Sequence, residues 1–269
     1  MEYMNFDVEI RDGCATVSMI GPGAPDLGEV CDECVDLMLR LQEDQAVRVV
    51  MFTDGDHSFD LHHNLDGLAD SHPDDTGYDL LSAEEEIARR IVTMFGEMAK
   101  PIVAATRGDV RDLGFAFYMA ADIRLASPRA SFTAPDLSAG ISPGWGLTHT
   151  LPRLVGPGRS LELLWSRRTV GADEAQRMGL VDRLIDDAVW EEEIDIFTER
   201  LRRLPQPGVQ LTKLAVQQAA NLDFTSMLAL EWESQQQCWA SRETAEGLRA
   251  RREGRPPELD TPLADPDGE

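Results

Sequence analysis

What most constrains this chain is its alternation of short, closed apolar runs with longer segments of helical apolar spacing. Val47-Arg48-Val49-Val50-Met51-Phe52-Thr53 and Ile102-Val103-Ala104-Ala105-Thr106 are bounded by polar turns, as strands buried on both faces are. Ahead of the first run, Val30, Cys34, Leu37, Met38 and Leu41 recur at helical spacing and predict a helix from Leu27 to Leu41. After it comes an unusually polar stretch, Asp54 to Asp79. A helix is then predicted from Ser82 to Met98, with Ser82 and Glu85 as a capping box and Pro101 as its end. Loose alternation over residues 6–20 around Arg11-Asp12-Gly13 predicts an N-terminal hairpin.

Past Thr106 the pattern gives a loop from Gly108 to Asp112, a small apolar helix from Leu113 to Ala121, and strands at Asp122 to Ala126 and Ser131 to Thr133. Strand and helix alternate without a tandem sequence period, which predicts an α/β core. Beyond Thr169 the chain reads as mostly helical, over 172–178, 187–204, 208–220 and 224–252. The stretch from Gly254 holds four prolines and many acids and is expected to be a disordered tail. The expected division is a core over 1–200, a C-terminal helical region over 201–253, and the tail over 254–269.

Charge narrows the partners. Lys+Arg number 25 against 49 Asp+Glu, a net charge of −24. That argues against nucleic acid, which needs a basic face, and against an anionic membrane surface. Hydrophobic content of 42% with 6% aromatics predicts a core built on aliphatic side chains. Only Lys100 and Lys213 are lysines, which reads as coding bias rather than chemistry. The N-terminus lacks a basic start and an apolar signal core, and no apolar run approaches membrane-spanning length. A soluble, cytoplasmic protein is expected. Four cysteines are too few for a disulfide framework at this size. The Cys31-x-x-Cys34 pair reads as two helix-borne thiols, because the second ligand pair of a zinc site is missing.

Several segments, in order, resemble the crotonase (enoyl-CoA hydratase/isomerase) superfamily over roughly the whole chain to residue 255. They are Val47-Arg48-Val49-Val50, Lys100-Pro101-Ile102-Val103-Ala104-Ala105, Ala121-Asp122-Ile123-Arg124-Leu125-Ala126-Ser127, Gly140-Ile141-Ser142-Pro143-Gly144, Leu151-Pro152-Arg153-Leu154-Val155-Gly156, and Ala172 to Val181. The resemblance implies a spiral of ββα turns with a C-terminal helical region, and homotrimers often paired into hexamers. It also implies stabilisation of an enolate, or a related oxyanion, of an acyl thioester by two backbone N–H groups, one at the start of a helix. No cofactor is implied, and CoA enters as part of the substrate.

Carried over residue by residue, the resemblance places one donor at His63, in Phe59-Asp60-Leu61-His62-His63-Asn64, with His62 at the usual glycine. The second donor is Leu113, in Asp112-Leu113-Gly114-Phe115-Ala116, where only Gly114 is left of three glycines and Ala116 replaces the first catalytic glutamate. Pro135-Asp136 fills the second acidic position with a shorter carboxylate. Asp136 is therefore the expected acid/base group, and the loss at Ala116 argues against ordinary hydration, which usually employs two carboxylates. Gly114, Ala116, Trp145 and His149 are expected to line the substrate. Glu231 lies on a helix whose acids sometimes reach the site. The usual basic residue near the first helix is absent, so Arg107, Arg111, Arg251, Arg252 and Arg255 are the candidates for CoA phosphates, with Arg251 and Arg252 foremost.

Three functions are compatible with these residues. One is an enzyme acting on an acyl thioester of CoA or a carrier protein. A second is a CoA-independent C–C bond hydrolase of a β-diketone, a ketone substrate, in which His62 or His63, Asp136 and Glu231 activate water. The third is a silent subunit that scaffolds an active paralogue. His57, His62, His63 and His72 lie among many aspartates, but their spacing matches no helix-borne metal motif, so no metal is expected.

Overall fold

The computed structural model describes residues 3–20, 27–55, 59–61, 76–138 and 140–259. Strands β1 (Phe6–Arg11) and β2 (Cys14–Met19) form the expected antiparallel hairpin. Its two-residue turn, Asp12 at φ +50° and Gly13 at φ +82°, has the left-handed pair that matches strand twist. Gly13 is required twice over, since a Cβ there would stand 3.3 Å from the Ala46 carbonyl oxygen. Helix α1 (Leu27–Glu43) follows and buries Val30, Cys31, Cys34, Leu37, Met38 and Leu41. Both thiols of the C-x-x-C pair are thus core groups, and burial pushes the Cys34 thiol well up.

The next elements repeat one unit. Strand β3 (Val49–Thr53), strand β4 (Phe59–Leu61) and helix α2 (Thr76–Glu97) form one turn. Strand β5 (Ile102–Thr106), strand β6 (Asp109–Arg111) and helix α3 (Asp112–Ala120) form the next. Strands β7 (Ile123–Ala126) and β8 (Ser131–Thr133) begin a third, which continues through α4 (Leu147–Val155), α5 (Pro157–Ser166), β9 (Val170–Gly171), α6 (Ala172–Met178) and β10 (Arg183–Leu184). The first strand of each turn joins a six-stranded sheet, β1-β2-β3-β5-β7-β10, parallel from β2 onward. The second joins a four-stranded sheet, β4-β6-β8-β9. This is the ββα spiral with its C-terminal helices: α7 (Trp190–Arg202), α8 (Gln206–Gln218), α9 (Phe224–Trp239) and α10 (Arg242–Glu253).

Alternation along the strands sorts their side chains into two cores. Val50, Phe52, Ile102 and Ala104 face the main core, whereas Val49, Met51, Val103, Ala105 and Leu125 pack with Trp190 and Ile194 of α7. That two-sided burial explains the unbroken apolar runs. The main core is more aromatic than the composition predicts. Phe52, Phe59, Phe95, Phe117, Tyr118 and Phe132 form one cluster linking both sheets through α3, with ring centroids 4.9–6.1 Å apart. Tyr118 completes it by donating to the Leu125 carbonyl at 2.8 Å.

Several expectations are corrected. The helix expected from Ser82 already runs from Thr76, so Ser82 and Glu85 are interior positions and not a capping box. The loop expected over Gly108 to Asp112 contains β6. Residues 147–155 and 157–166, where no element was expected, form two helices, the first with Pro152 inside it, a residue that ordinarily reads as a break. The helix expected over 224–252 is two, divided at Ser241, whose hydroxyl caps α10 by accepting from the Thr244 amide. Residues 260–269 of the expected tail lie outside the described residues. Among the described residues no helix is long and apolar enough to cross a membrane.

Both lysines hold structural positions. Lys100 Nζ donates to the Leu41 and Asp44 carbonyls at the end of α1. Lys213 Nζ donates to the Phe95 and Lys100 carbonyls and pairs with Asp122 at 2.7 Å. A second clamp holds the C-terminal helices to the spiral. Arg48 makes a two-point contact with Glu243 at 2.9 and 3.0 Å and donates to the Arg202 and Leu204 carbonyls. Charge-assisted bonds of this kind are the strong ones. Arg48→Gln is expected to cost about 2 kcal/mol, read as a lower urea midpoint with earlier proteolytic cutting near residue 205.

Candidate active site

The site starts where the two sheet layers hand the chain to α3. Strands β4 and β6 run parallel with Phe59 opposite Val110 and Asp60 opposite Arg111. One further bridge joins Leu61 to Asp112. The first loop therefore departs beside the residue that opens α3. His62 and His63 lie outside the described residues, so only the Leu113 side of the expected amide pair can be followed.

Asp112 stands where the family pattern has a glycine, and it keeps a glycine-like backbone, φ +49°. Such a conformation costs a non-glycine residue about 1–2 kcal/mol. It delivers the chain into α3, whose N-cap residue, Arg111, makes no side-chain capping bond. The first-turn amides of a helix lack intrahelical acceptors, and the helix dipole adds partial positive charge there. Leu113 is buried, as are Gly114 and Ala116. Ala116 thus buries a methyl group, not a carboxyl, on α3.

A buried carboxylate braces the loop before β6. Asp54, 1% exposed, accepts from the Thr106 hydroxyl at 2.6 Å and from the Arg107 and Gly108 amides at 3.0 and 2.9 Å. Burial pushes its carboxyl upward, and those three donors oppose the shift. Asp54 lies at the end of β3, so it ties the departure point of the first loop to that of the second.

Asp136 follows β8 and is half-buried. Its carboxylate accepts from the Ser138 amide at 2.8 Å and pairs with Arg167 at 3.1 Å. The Ser138 amide and hydroxyl, and then Arg167, hold the carboxyl below its usual range, so it is ionised at neutral pH. The same guanidinium also reaches both carboxylate oxygens of Asp112, at 3.2 and 3.3 Å. One arginine thus joins the expected acid/base group to the residue preceding the Leu113 amide. Arg167 is itself left-handed, φ +49°, at the end of α5.

Sequence reasoning missed Arg167, because its partners are distant in the chain. One signal was present in the dipeptide Arg167-Arg168. Arg168 is taken by Glu162 and Glu174, each six residues away, which leaves Arg167 to reach outward. The remaining expected residues are placed as follows. Trp145 also has positive φ, +57°, and is 4% exposed, with its Nε1 buried and without a partner among the described residues. An unmet buried donor costs about 1–3 kcal/mol and marks this turn as shaped by more than packing. His149 is exposed on α4, its carbonyl accepting from Arg153. Glu231 is exposed on α9, which packs on α8 and α10, not into the α3 region.

The candidate phosphate contacts divide similarly. Arg251 and Arg252 are exposed in the last turn of α10. Arg255 is engaged by Glu246 and Glu253 at 2.6 and 2.8 Å, and Arg111 by Asp109 at 2.5 Å. Arg107 lies over the Trp190 ring, 5.9 Å from its centroid, beside Glu191. Among the described residues no group of three or more His, Cys, Asp or Glu could hold a metal.

Comparison with known proteins matches this geometry to one family. A family model described as enoyl-CoA hydratase/isomerase matches residues 27–261. A crotonyl-CoA hydratase of Syntrophomonas wolfei is 28% identical over 258 residues, covering 93% of this chain and 95% of that protein. A short-chain-enoyl-CoA hydratase of Clostridioides difficile is 33% identical over 149 residues, covering 55% of this chain and 96% of that protein. The crystal structure of an enoyl-CoA hydratase/isomerase from Cupriavidus metallidurans superposes with a TM-score of 0.84 at 27% identity, covering 96% of both chains. The family match over residues 27–261 and the fold shared over 96% of the chain agree, and on both counts the chain belongs to the enoyl-CoA hydratase/isomerase family.

Proposed function

We propose that the chain is an enzyme that forms and stabilises the enolate of an acyl thioester, with Asp136 as its single acid/base group and the Leu113 amide as an oxyanion donor. The observation that carries this reading is the Arg167 bridge, which sets the ionised Asp136 beside Asp112 and hence beside the start of α3. Asp136 takes the proton from the carbon next to the thioester carbonyl. The electron pair of that C–H bond moves onto the thioester oxygen, where the Leu113 amide and the helix dipole favour negative charge. His63 is the proposed second donor. The same carboxyl then returns the proton, to the original carbon or, in an unsaturated chain, to a carbon further along.

Ala116 supports proton transfer over water addition. Adding water across a double bond takes one group to activate the water and one to protonate carbon, and of the family's two acidic positions, 116 and 136, only Asp136 carries a carboxyl. Trp145, whose N–H has no partner among the described residues, and His149 are proposed to shape the acyl end. Arg251 and Arg252 are the proposed contacts for CoA phosphates, or for the phosphate arm of a carrier protein. The β-diketone alternative is weaker here, because Glu231 is exposed on α9, which packs on α8 and α10.

The test is solvent exchange. The protein is incubated with acyl-CoA thioesters of increasing chain length in D₂O, and deuterium gain is followed by mass spectrometry. Protein-dependent exchange is expected. No exchange above the buffer rate with any thioester sinks the reading and favours the silent scaffold.

Assembly as a homotrimer, or a pair of trimers, belongs to the same proposal. Phe224, Leu228, Trp232 and Trp239 recur along α9 and are all exposed, and α9 has no buried residue. Single-chain helices rarely leave an apolar stripe of this kind uncovered. Light scattering is expected to give three or six times the mass of the chain; a monomer contradicts it.

A further inference from the structure

We propose that Arg167 is a positioning residue for the reaction: it holds the Asp136 carboxylate in register with the α3 turn that presents the Leu113 amide. This deepens the proposed function and rests on the reading of Asp136 as the acid/base group.

Three observations meet on this side chain. Its guanidinium spans two carboxylates from different turns of the spiral, Asp136 after β8 at 3.1 Å and Asp112 before Leu113 at 3.2 and 3.3 Å. Both ends of the Arg167–Asp112 contact are left-handed, each at φ +49°, a conformation in which glycine would be free of strain. Two side chains thus occupy strained backbone positions and are joined to one another. Packing does not explain the Arg167 side chain, which is 43% exposed at the end of α5, while the Asp112 carboxylate that it meets is 13% exposed. Arg168, adjacent to it, has its own acids, so Arg167 is not claimed by local pairing.

The physical role follows from the fork shape of the guanidinium. Its two terminal nitrogens engage different carboxylates, NH1 with Asp136 and NH2 with Asp112, so the separation of those groups is set by a rigid plane. Proton abstraction requires the carboxylate at a fixed distance from a carbon whose oxygen is held by the Leu113 amide. A shift of about 1 Å can cost on the order of 100-fold in rate. The bridge also leaves Asp136 with one oxygen on the Ser138 amide and the other on Arg167, which fixes its rotation as well as its place.

Arg167→Gly is the decisive variant. It removes the guanidinium while giving the left-handed backbone the residue that suits it, so folding is preserved and thermal midpoints check this. Exchange of the thioester α-proton is expected to fall between about tenfold and 100-fold in kcat, with KM changed less than about threefold. Free guanidinium at millimolar concentration, against sodium chloride at equal ionic strength, is expected to restore part of the loss, and Arg167→Lys to restore less than the native residue. A purely structural arginine would respond to neither.

Asp136→Asn, run alongside, separates the two claims. If it abolishes exchange while Arg167→Gly keeps kcat within twofold, the positioning role is overturned and the acid/base reading stands. If Asp136→Asn exchanges normally, the acid/base reading falls and the positioning role with it. Should the native protein exchange none of the thioesters, the acid/base reading falls and the positioning role with it.

Discussion

Asp136→Asn is expected to lower thioester α-proton exchange by about 10³-fold, within the range that a positioned general base contributes. The variant isolates chemistry from folding. Asparagine is nearly isosteric, and its Oδ1 can still accept from the Ser138 amide that Asp136 uses now. What is lost is the negative charge and the ability to carry a proton. The ion pair with Arg167 goes too, but its partners are 43% and 32% exposed, and pairs at such exposure contribute little to stability. The unfolding midpoint should therefore hardly move while exchange disappears. The pH profile of the native enzyme gives an independent sign. With the carboxyl held below its usual range by Ser138 and Arg167, activity that needs the ionised form persists into mild acid and falls only below the ordinary carboxylate range. Replacing Ser138 with Pro, which removes the amide donor, should move that acidic limb upward.

Lys213→Met is expected to be the most damaging substitution for stability, at about 3–5 kcal/mol. The ammonium group, 9% exposed on α8, meets Asp122 at 2.7 Å and the carbonyls of Phe95 and Lys100 at 3.0 and 3.2 Å. Asp122 in turn accepts from the Ile102 amide at 2.8 Å, where β5 begins. Burial lowers the affinity of Lys213 for its proton and raises that of Asp122, so each charge depends on the other. Methionine keeps the apolar stem but strands a buried carboxylate and two carbonyls. The thermal midpoint should drop by about 10 °C for a chain of this size. The double variant Lys213→Met with Asp122→Asn should lose less than the two single losses combined. Strict additivity would mean that the pair is not coupled.

The contrast between these two residues shows what the sequence made visible. Strands β3 and β5 were legible because burial on both faces leaves a run such as Val49 to Phe52 without polar interruption. Helix α1 was legible from its single apolar stripe. The α4–α5 pair was not, because Pro152 interrupts the expected pattern and neither helix is long. The division of 224–252 into α9 and α10 turned on one hydroxyl, that of Ser241, in a segment otherwise continuous in helix formers.

At the proposed site, motif order singled out Leu113 and Asp136 as candidates, because they hold set places relative to Gly108 and Pro135. It could not locate Arg167 or Asp54. Their importance comes from contacts between distant segments: Arg167 with Asp112 and Asp136, and Asp54 with the Arg107 and Gly108 amides. The loss of glycines from the second loop looked, as sequence, like loss of the backbone path. In the fold Asp112 adopts the left-handed conformation that suits a glycine, and its carboxylate meets Arg167. Lys100 and Lys213 carry a similar lesson. Their rarity was visible at once, but their structural positions appeared only when the carbonyls around them were in place.

The most direct test of the central claim is a crystal structure with a non-hydrolysable acyl-CoA analogue bound. The account predicts the analogue's carbonyl oxygen at about 2.7–3.1 Å from the Leu113 amide nitrogen, with the neighbouring carbon facing a carboxylate oxygen of Asp136. A ligand whose carbonyl points away from the start of α3, or whose reacting carbon lies out of reach of Asp136, contradicts it.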